Sequence, residues 1–485
     1  MSPFSREIRH FQARPPGADK PLRPAEFFRD RSSCTLWPNS FSTSIRGVIF
    51  HLGTPDKPTP AAADGAEGAR RRTAFAAPRH RDFRLLWVGQ FFSITGSQMQ
   101  LVTINWHVYL LMRPYGEKSA AAALGLVGLV RVIPVVFFSL VSGVAADVYD
   151  RRKLMLLTQT LATALAAALA ILTWRGLDVV WPVYAIAAAS SAVGAFDLPA
   201  RQSLIPNLVP REHLANALTL NTIVFQLAAV IGPALGGIVI GQLGVAWAYG
   251  FNAVSFLVVI AALLMMKDVG ARRMEDGAAT TTRFNMHAVM EGLRFVFRAP
   301  LIRSTMLLDF FATFFSSATA LLPIFAQDIL QVGARGYGWL YAAPAVGAVA
   351  TSAVMVPMTE RIERRGRTLL WAVGGYGVAT VVFGLSRTFW LTFACLALTG
   401  AADTVSTIIR NVVRQLETPD RLRGRMTGIN MVFFLGGPQL GELEAGTVAN
   451  WFGAAFSVVT GGIGCLIATA WVAATTPGLR SYRRS

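Results

Sequence analysis

From about residue 83 onward, apolar runs of some 20 residues or more alternate with short polar breaks. A helix needs ~20 apolar residues, at 1.5 Å rise each, to cross the hydrocarbon core of a bilayer. Twelve runs reach that length, at roughly 84–112, 120–146, 153–173, 179–200, 213–240, 245–266, 303–330, 337–358, 368–386, 389–412, 424–447 and 451–475. The pattern predicts an all-α polytopic membrane protein. Its 12 transmembrane helices form two pseudo-symmetric six-helix bundles, over 83–266 and 303–478.

The breaks divide by charge. Links 2–3 (Arg151, Arg152, Lys153), 4–5 (Arg201, Arg211), 8–9 (Arg361, Arg364, Arg365, Arg367) and 10–11 (Arg414, Arg421, Arg423, Arg425) are basic, and the links between them are poor in net charge. Lys and Arg collect on the cytoplasmic side of a membrane, so the alternation places both termini in the cytoplasm. It also supports the count, because a missed span would invert every later link. Residues 1–82 mix Pro, Arg, Ala and Ser without periodicity and read as a disordered cytoplasmic tail. In the central linker, 267–302, Arg283, His287, Glu291, Arg294 and Arg298 fall on one helical face and Phe284, Val289, Leu293, Val296 and Phe297 mostly on another. That predicts an amphipathic helix on the cytoplasmic membrane surface. Residues 479–485 form a short cytoplasmic C-terminal tail.

Composition agrees. Of the 485 residues 53% are hydrophobic and only 15% charged, against ~25% charged in soluble proteins. A net charge of +18 would suggest nucleic acid in a soluble protein; here the basic loops account for it, and no nucleic-acid partner is expected. Cys34, Cys395 and Cys465 fit neither a disulfide framework nor a zinc spacing. No phosphate-binding loop, metal cluster or nucleophile elbow occurs, so no cofactor and no enzymatic activity are expected.

The halves carry traces of a repeat. At an offset of 209, Arg201 matches Arg410, Pro210 matches Pro419, Asn221 matches Asn430 and Phe225 matches Phe434. At 213, Asp147, Asp150, Arg151 and Arg152 match Glu360, Glu363, Arg364 and Arg365. Parallel repeats meeting at a central midplane site are one transporter architecture.

The segment GVAADVYDRRKL (143–154) joins spans 2 and 3. Gly143 permits close helix approach, Asp147 and Asp150 accept hydrogen bonds, and Arg151 and Arg152 anchor the basic side. Such a cluster can latch one conformation and release another; the alternative is a plain basic loop. The segment resembles the signature loop of the major facilitator superfamily, Gly-x-x-x-Asp-x-x-x-Arg-Arg/Lys. In span 5, AAVIGPALGG (228–237) is similar to the Gly-x-x-x-Gly-Pro-x-x-Gly-Gly pattern of proton-coupled exporters in that superfamily, with Ala228 replacing the first glycine. Gly232, Gly236 and Gly237 make a small-residue stripe and Pro233 a kink. The segments around links 4–5 and 10–11 resemble the drug:proton antiporter branch that includes the enterobactin exporter and macrolide efflux proteins. The resemblance covers about 80–478 and implies efflux of a drug- or siderophore-like solute by alternating access. An uptake symporter or facilitator of the same fold is the alternative; a non-transporting receptor or enzyme is the alternative of another class.

Ionisable side chains at membrane depth are costly and mark pathways or partners. Arg131, Asp309, Asp403, Glu442 and Glu444 are the deep charges. Arg131 is expected to hold an anionic substrate group or a carboxylate of the other half, with Glu442 or Asp403 exchanging protons; a static buried ion pair is the competing expectation. Asp197 and Arg201, one turn apart, read as gate residues beside Arg410. Gln98, Gln100 and Asn105 are cavity-lining candidates, His107 reads as interfacial, and Phe310, Phe311, Phe314 and Phe315 could stack on a flat substrate. The expected partners are a small-molecule substrate, protons and the lipid bilayer. A monomer in the bacterial inner membrane is the expected working unit.

Overall fold

The computed structural model describes residues 76–267, 294–315, 317–358, 361–419 and 422–483. Most of the expected tail over 1–82, and residues 268–293 of the expected linker helix, lie outside them. Among the described residues the elements are helical: α1 (Arg81–Met112), α2 (Glu117–Val148), α3 (Arg151–Trp174), α4 (Trp181–Leu208), α5 (Leu214–Leu243), α6 (Val245–Met265), α7 (Pro300–Phe315), α8 (Gly333–Met358), α9 (Arg365–Leu385), α10 (Phe389–Glu417), α11 (Arg423–Phe452), α12 (Ala454–Thr475) and the short α13 (Pro477–Ser481). Among the described residues, ten segments are long and apolar enough to span a membrane on their own. The other two spans are α1 and α11. They carry Gln90, Gln98, Gln100 and Asn105, and Gln439, Glu442 and Glu444. Of these, Gln90, Gln100 and Asn105 are buried by neighbouring helices.

The seventh span departs from the expected unbroken helix over 303–330. It runs regularly to Phe315, tightens into a 3₁₀ turn at Ala318–Leu321, and widens into a π turn at Phe325–Ile329. Pro323 lies between these turns. Its ring cannot donate and crowds the carbonyl four residues back, so a regular ladder cannot pass through it.

Helix packing repeats with a shift of six. In the first half α1 packs on α5 and α6, α3 on α6, α2 and α3 on α4; in the second α7 packs on α11 and α12, α9 on α12, α8 and α9 on α10. The halves meet through α2 with α11 and through α5 with α8, which the same shift exchanges. The tight turns repeat too. Gly244 joins α5 to α6 at φ 96° and Gly453 joins α11 to α12 at φ 94°. They are 209 residues apart, the offset that pairs Arg201 with Arg410. A one-residue turn at positive φ leaves glycine as the residue that fits without strain.

The cores show where the halves are joined. At the charge-poor end one apolar cluster runs across both, from Trp106, Tyr109 and Leu124 to Tyr337, Leu340 and Ala445. At the basic end the clusters are separate: Phe83, Leu86, Met155 and Leu204 in the first half, Leu308, Leu369, Val413 and Val472 in the second.

Candidate functional site

The seam is built on glycines. A Cβ on Gly125 of α2 would lie 2.8 Å from Gly446 Cα of α11. One on Gly237 of α5 would lie 2.7 Å from Gly338 Cα of α8. Backbones can approach this closely because neither partner has a side chain there. Gly232 and Gly236 face the other way, onto Gln98 and Met99 of α1, while the Pro233 carbonyl abuts Gly338. The span 5 pattern therefore serves two contacts, one inside its half and one across the seam.

Further along the same α2 face, Gly128 makes room for Glu442. A Cβ there would sit 2.8 Å from the Glu442 carboxylate. Arg131, half-buried near the middle of α2, and Tyr341 of α8 lie within electrostatic reach of that carboxylate. Glu442 is thus the acid of the opposite half within electrostatic reach of Arg131. Glu444 is half-buried and is not placed with this group.

Asp403 joins a different group. Arg410, 2% exposed and among the largest fully buried side chains, pairs with Asp309 at 2.8 Å and more loosely with Asp403 at 3.4 Å. It also donates to Thr407 at 2.7 Å. Arg414 stacks one turn below and donates to the Arg410 carbonyl at 3.3 Å and to Asn411 at 2.5 Å. Residues read in the sequence as separate gate and coupling groups thus form one cluster between α7 and α10. The counterpart in the first half is Arg201, paired with Asp197 on α4. Asp197 also accepts from Thr158 at 3.1 Å and Gln159 at 2.8 Å of α3, and Gln159 accepts from Ser93 of α1. These bonds tie α1, α3 and α4 together inside one half.

In the loop between α2 and α3, Gly143 and Asp147 lie on the last turns of α2. The Asp150 carboxylate caps α3, accepting from the backbone N–H of Arg152 at 2.9 Å and of Lys153 at 3.3 Å. Arg152 donates to the carbonyls of Leu263 and Leu264 at the end of α6, where a helix C-terminus attracts a cation. Arg151 begins α3.

A cluster that the sequence reading missed seals the charge-poor end. Tyr109 donates to Asp328 at 2.7 Å, and Arg113 pairs with the other Asp328 oxygen at 3.2 Å. Tyr337 stacks on Trp106, with ring centroids 5.2 Å apart, and donates to the Val102 carbonyl at 3.2 Å. Each of these contacts crosses between the halves. The pairing spans more than 200 positions and leaves no local signal in the sequence; the π turn brings Asp328 to α1. His107, read as interfacial, is instead buried and bonded to Tyr249 at 3.2 Å. The 3.6-residue period turns it inward, toward α6. Gln100 likewise accepts from Asn252 of α6. Phe310 and Phe311 stack on Phe314 and Phe315 along α7. Cys395 and Cys465 are both buried.

A cavity of about 140 Å³ lies inside the second half, lined by residues of α7 to α10 that include Thr313, Thr380, Thr399 and Asp403.

Comparison with known proteins fits this architecture. Residues 72–480 match the transmembrane secretion effector family. The enterobactin exporter EntS of Shigella boydii serotype 18 is 26% identical over 406 residues, covering 84% of this chain and 94% of that protein. EntS of Escherichia coli O1:K1 / APEC is 25% identical over the same coverage. Among solved structures, an inward-facing, unoccupied bacterial homologue of the human lysosomal transporter Spinster superposes with a TM-score of 0.65 at 15% identity, over 84% of this chain and 99% of that one. An inward-facing bacterial homologue of the iron transporter ferroportin gives 0.61 at 15% identity, over 83% and 99%. Two six-helix halves related by a shift of six, joined through α2–α11 and α5–α8 and matched to this family over most of their length, make the chain a transporter of the major facilitator superfamily, a member of its transmembrane secretion effector family.

Proposed function

We propose that the chain exports a small organic solute of the siderophore or drug class from the bacterial cytoplasm by alternating access, in exchange for protons. The observation that carries the reading is Glu442 held against Gly128 across the seam, with Arg131 within its electrostatic reach, at the level where the sealed end gives way to two separate cores. A carboxylate there can be neutralised by a proton in one state and by Arg131 in another, which gives protonation a lever on how the halves meet. The exporter direction is supported by the EntS relatives and by the Gly-Pro pattern of α5. The basic ends are cytoplasmic on this reading. The bonds of Tyr109, Arg113 and Tyr337 then close the outer side, and the loops at Asp147–Arg152 and around Arg410 border the inner mouth. A monomer in the plasma membrane suffices.

Energised inside-out vesicles test this, with a catecholate siderophore as the probe. Accumulation that collapses with a protonophore is expected, together with loss of proton-driven accumulation but retained binding in Glu442→Gln. Accumulation in right-side-out vesicles instead, or full proton coupling in Glu442→Gln, would refute the reading.

A further inference from the structure

Oxygen-bearing side chains, Thr313, Thr319, Tyr376, Thr380, Thr399 and Asp403, share the lining of the cavity in the second half with Pro344, Phe383, Leu396 and Gly400. Thr313 donates its hydroxyl hydrogen to the Asp309 carbonyl at 2.8 Å, Thr380 to Tyr376 at 3.0 Å, and Thr399 to Leu396 at 2.7 Å. Each donor is spent on its own helix, so toward any further partner these hydroxyls can only accept. Asp403 adds a carboxylate. One of its oxygens lies 3.4 Å from Arg410, and its side chain keeps 44% of its exposure. The other oxygen accepts no hydrogen bond among the described residues. Arg410 belongs more closely to Asp309, at 2.8 Å.

The cavity also sits at the break in the seventh span. Thr313 precedes the break, and Thr319, another lining residue, lies in the 3₁₀ turn that follows it. Interrupted spans release backbone carbonyls from the helical ladder, and such carbonyls coordinate cations in other transporter folds. A volume of about 140 Å³ holds an ion with several waters.

We propose that this pocket, between α7, α8, α9 and α10, is a binding site for a monovalent metal cation of the size of sodium, held by Asp403 and the hydroxyls of Thr313, Thr380 and Thr399. A proton would need the carboxylate alone; a ring of hard oxygen acceptors is what a metal cation needs. One carboxylate, opposed by the guanidinium of Arg410, favours a single over a double positive charge. An occupied site draws Asp403 toward the ion and leaves Arg410 to Asp309, so occupancy sets the pairing of the buried cluster. The site's role rests on the transporter reading; its existence does not.

The test is equilibrium binding of radiolabelled sodium to the purified full-length protein in nanodiscs at mildly alkaline pH. Saturable binding, displaced by sodium chloride and not by choline chloride, is expected. Asp403→Asn should abolish it. Thr399→Val and Thr380→Val should each weaken it about tenfold, the loss of one ligand at ~1.4 kcal/mol. Thr460→Val, a hydroxyl of α12 that does not line the cavity, should bind as the parent does, and thermal melting establishes that each variant is folded. Absence of saturable binding in the parent, or unchanged binding in folded Asp403→Asn, would overturn the site. Proton-driven export without sodium binding would remove the site and leave the exporter reading intact; sodium binding lost in Asp403→Asn, with no solute exported, would do the reverse.

Discussion

Gly125→Ala should shift the molecule toward the state in which the charge-poor end is open. The added Cβ would lie 2.8 Å from Gly446 Cα and 3.0 Å from the Glu442 carbonyl, both backbone atoms that cannot rotate away. Restoring ordinary carbon–carbon contact requires α2 and α11 to part by about 1 Å. Overpacking of this kind costs ~1–3 kcal/mol. That cost exists only while the two helices touch, whereas the gain in helix propensity from Gly to Ala is common to both states and cancels between them. A bias of ~1–3 kcal/mol changes the ratio of the two states about 5–150-fold. Spin labels at Tyr115 and Trp390 can report it. These side chains are 71% and 76% exposed, lie on opposite halves at the charge-poor end, and accept labels without repacking. Gly125→Ala should add or enlarge a long-distance component in the pulsed dipolar spectrum. The double variant with Gly446→Ala should shift it by less than the sum of the single shifts, because a gap opened by one methyl already accommodates the other. An unchanged distance distribution with a lowered melting temperature would refute the reasoning, since the strain would then be shared by both states.

The buried cluster and the seal give further tests. Asp309→Asn leaves Arg410 with the loose Asp403 pair as its one acidic partner among the described residues, so detergent-solubilised protein should lose ~3–5 kcal/mol of stability, seen as an earlier thermal transition. Replacing Arg410 and Asp309 together by apolar residues of similar volume should cost less than the single change. Tyr109→Phe removes the hydrogen bond to Asp328 and should destabilise the sealed state by ~1.5–3 kcal/mol, read as increased label accessibility at the charge-poor end; Arg113→Gln should do less, because that arginine is half-exposed. Asp150→Ala removes the cap of α3 and should lower stability by ~1 kcal/mol, and Asp150→Asn should restore most of it.

The amino-acid order by itself determined the number of spans, the two-half organisation and the alternation of basic and charge-poor links. Each depends on local quantities: length, apolarity, and charge beside a span. The repeat was legible in part through Arg201 and Arg410, which the fold sets on α4 and α10, helices related by the shift of six. Arg131 and Glu442 stood out as deep charges because their cost can be read from depth alone. What only the tertiary structure decided was pairing. Nothing local distinguishes Glu442 from Asp403, yet one sits on Gly128 across the seam and the other beside Arg410 inside its own half. Nothing local lifts Asp328 above other link acids, yet the π turn carries it to Tyr109. The cavity depends on four helices and on which way three threonine hydroxyls donate. Hydropathy fixes how often the chain crosses the membrane. Which side chains then meet depends on helix rotation and on the glycines that let backbones touch, and those are properties of the packed bundle.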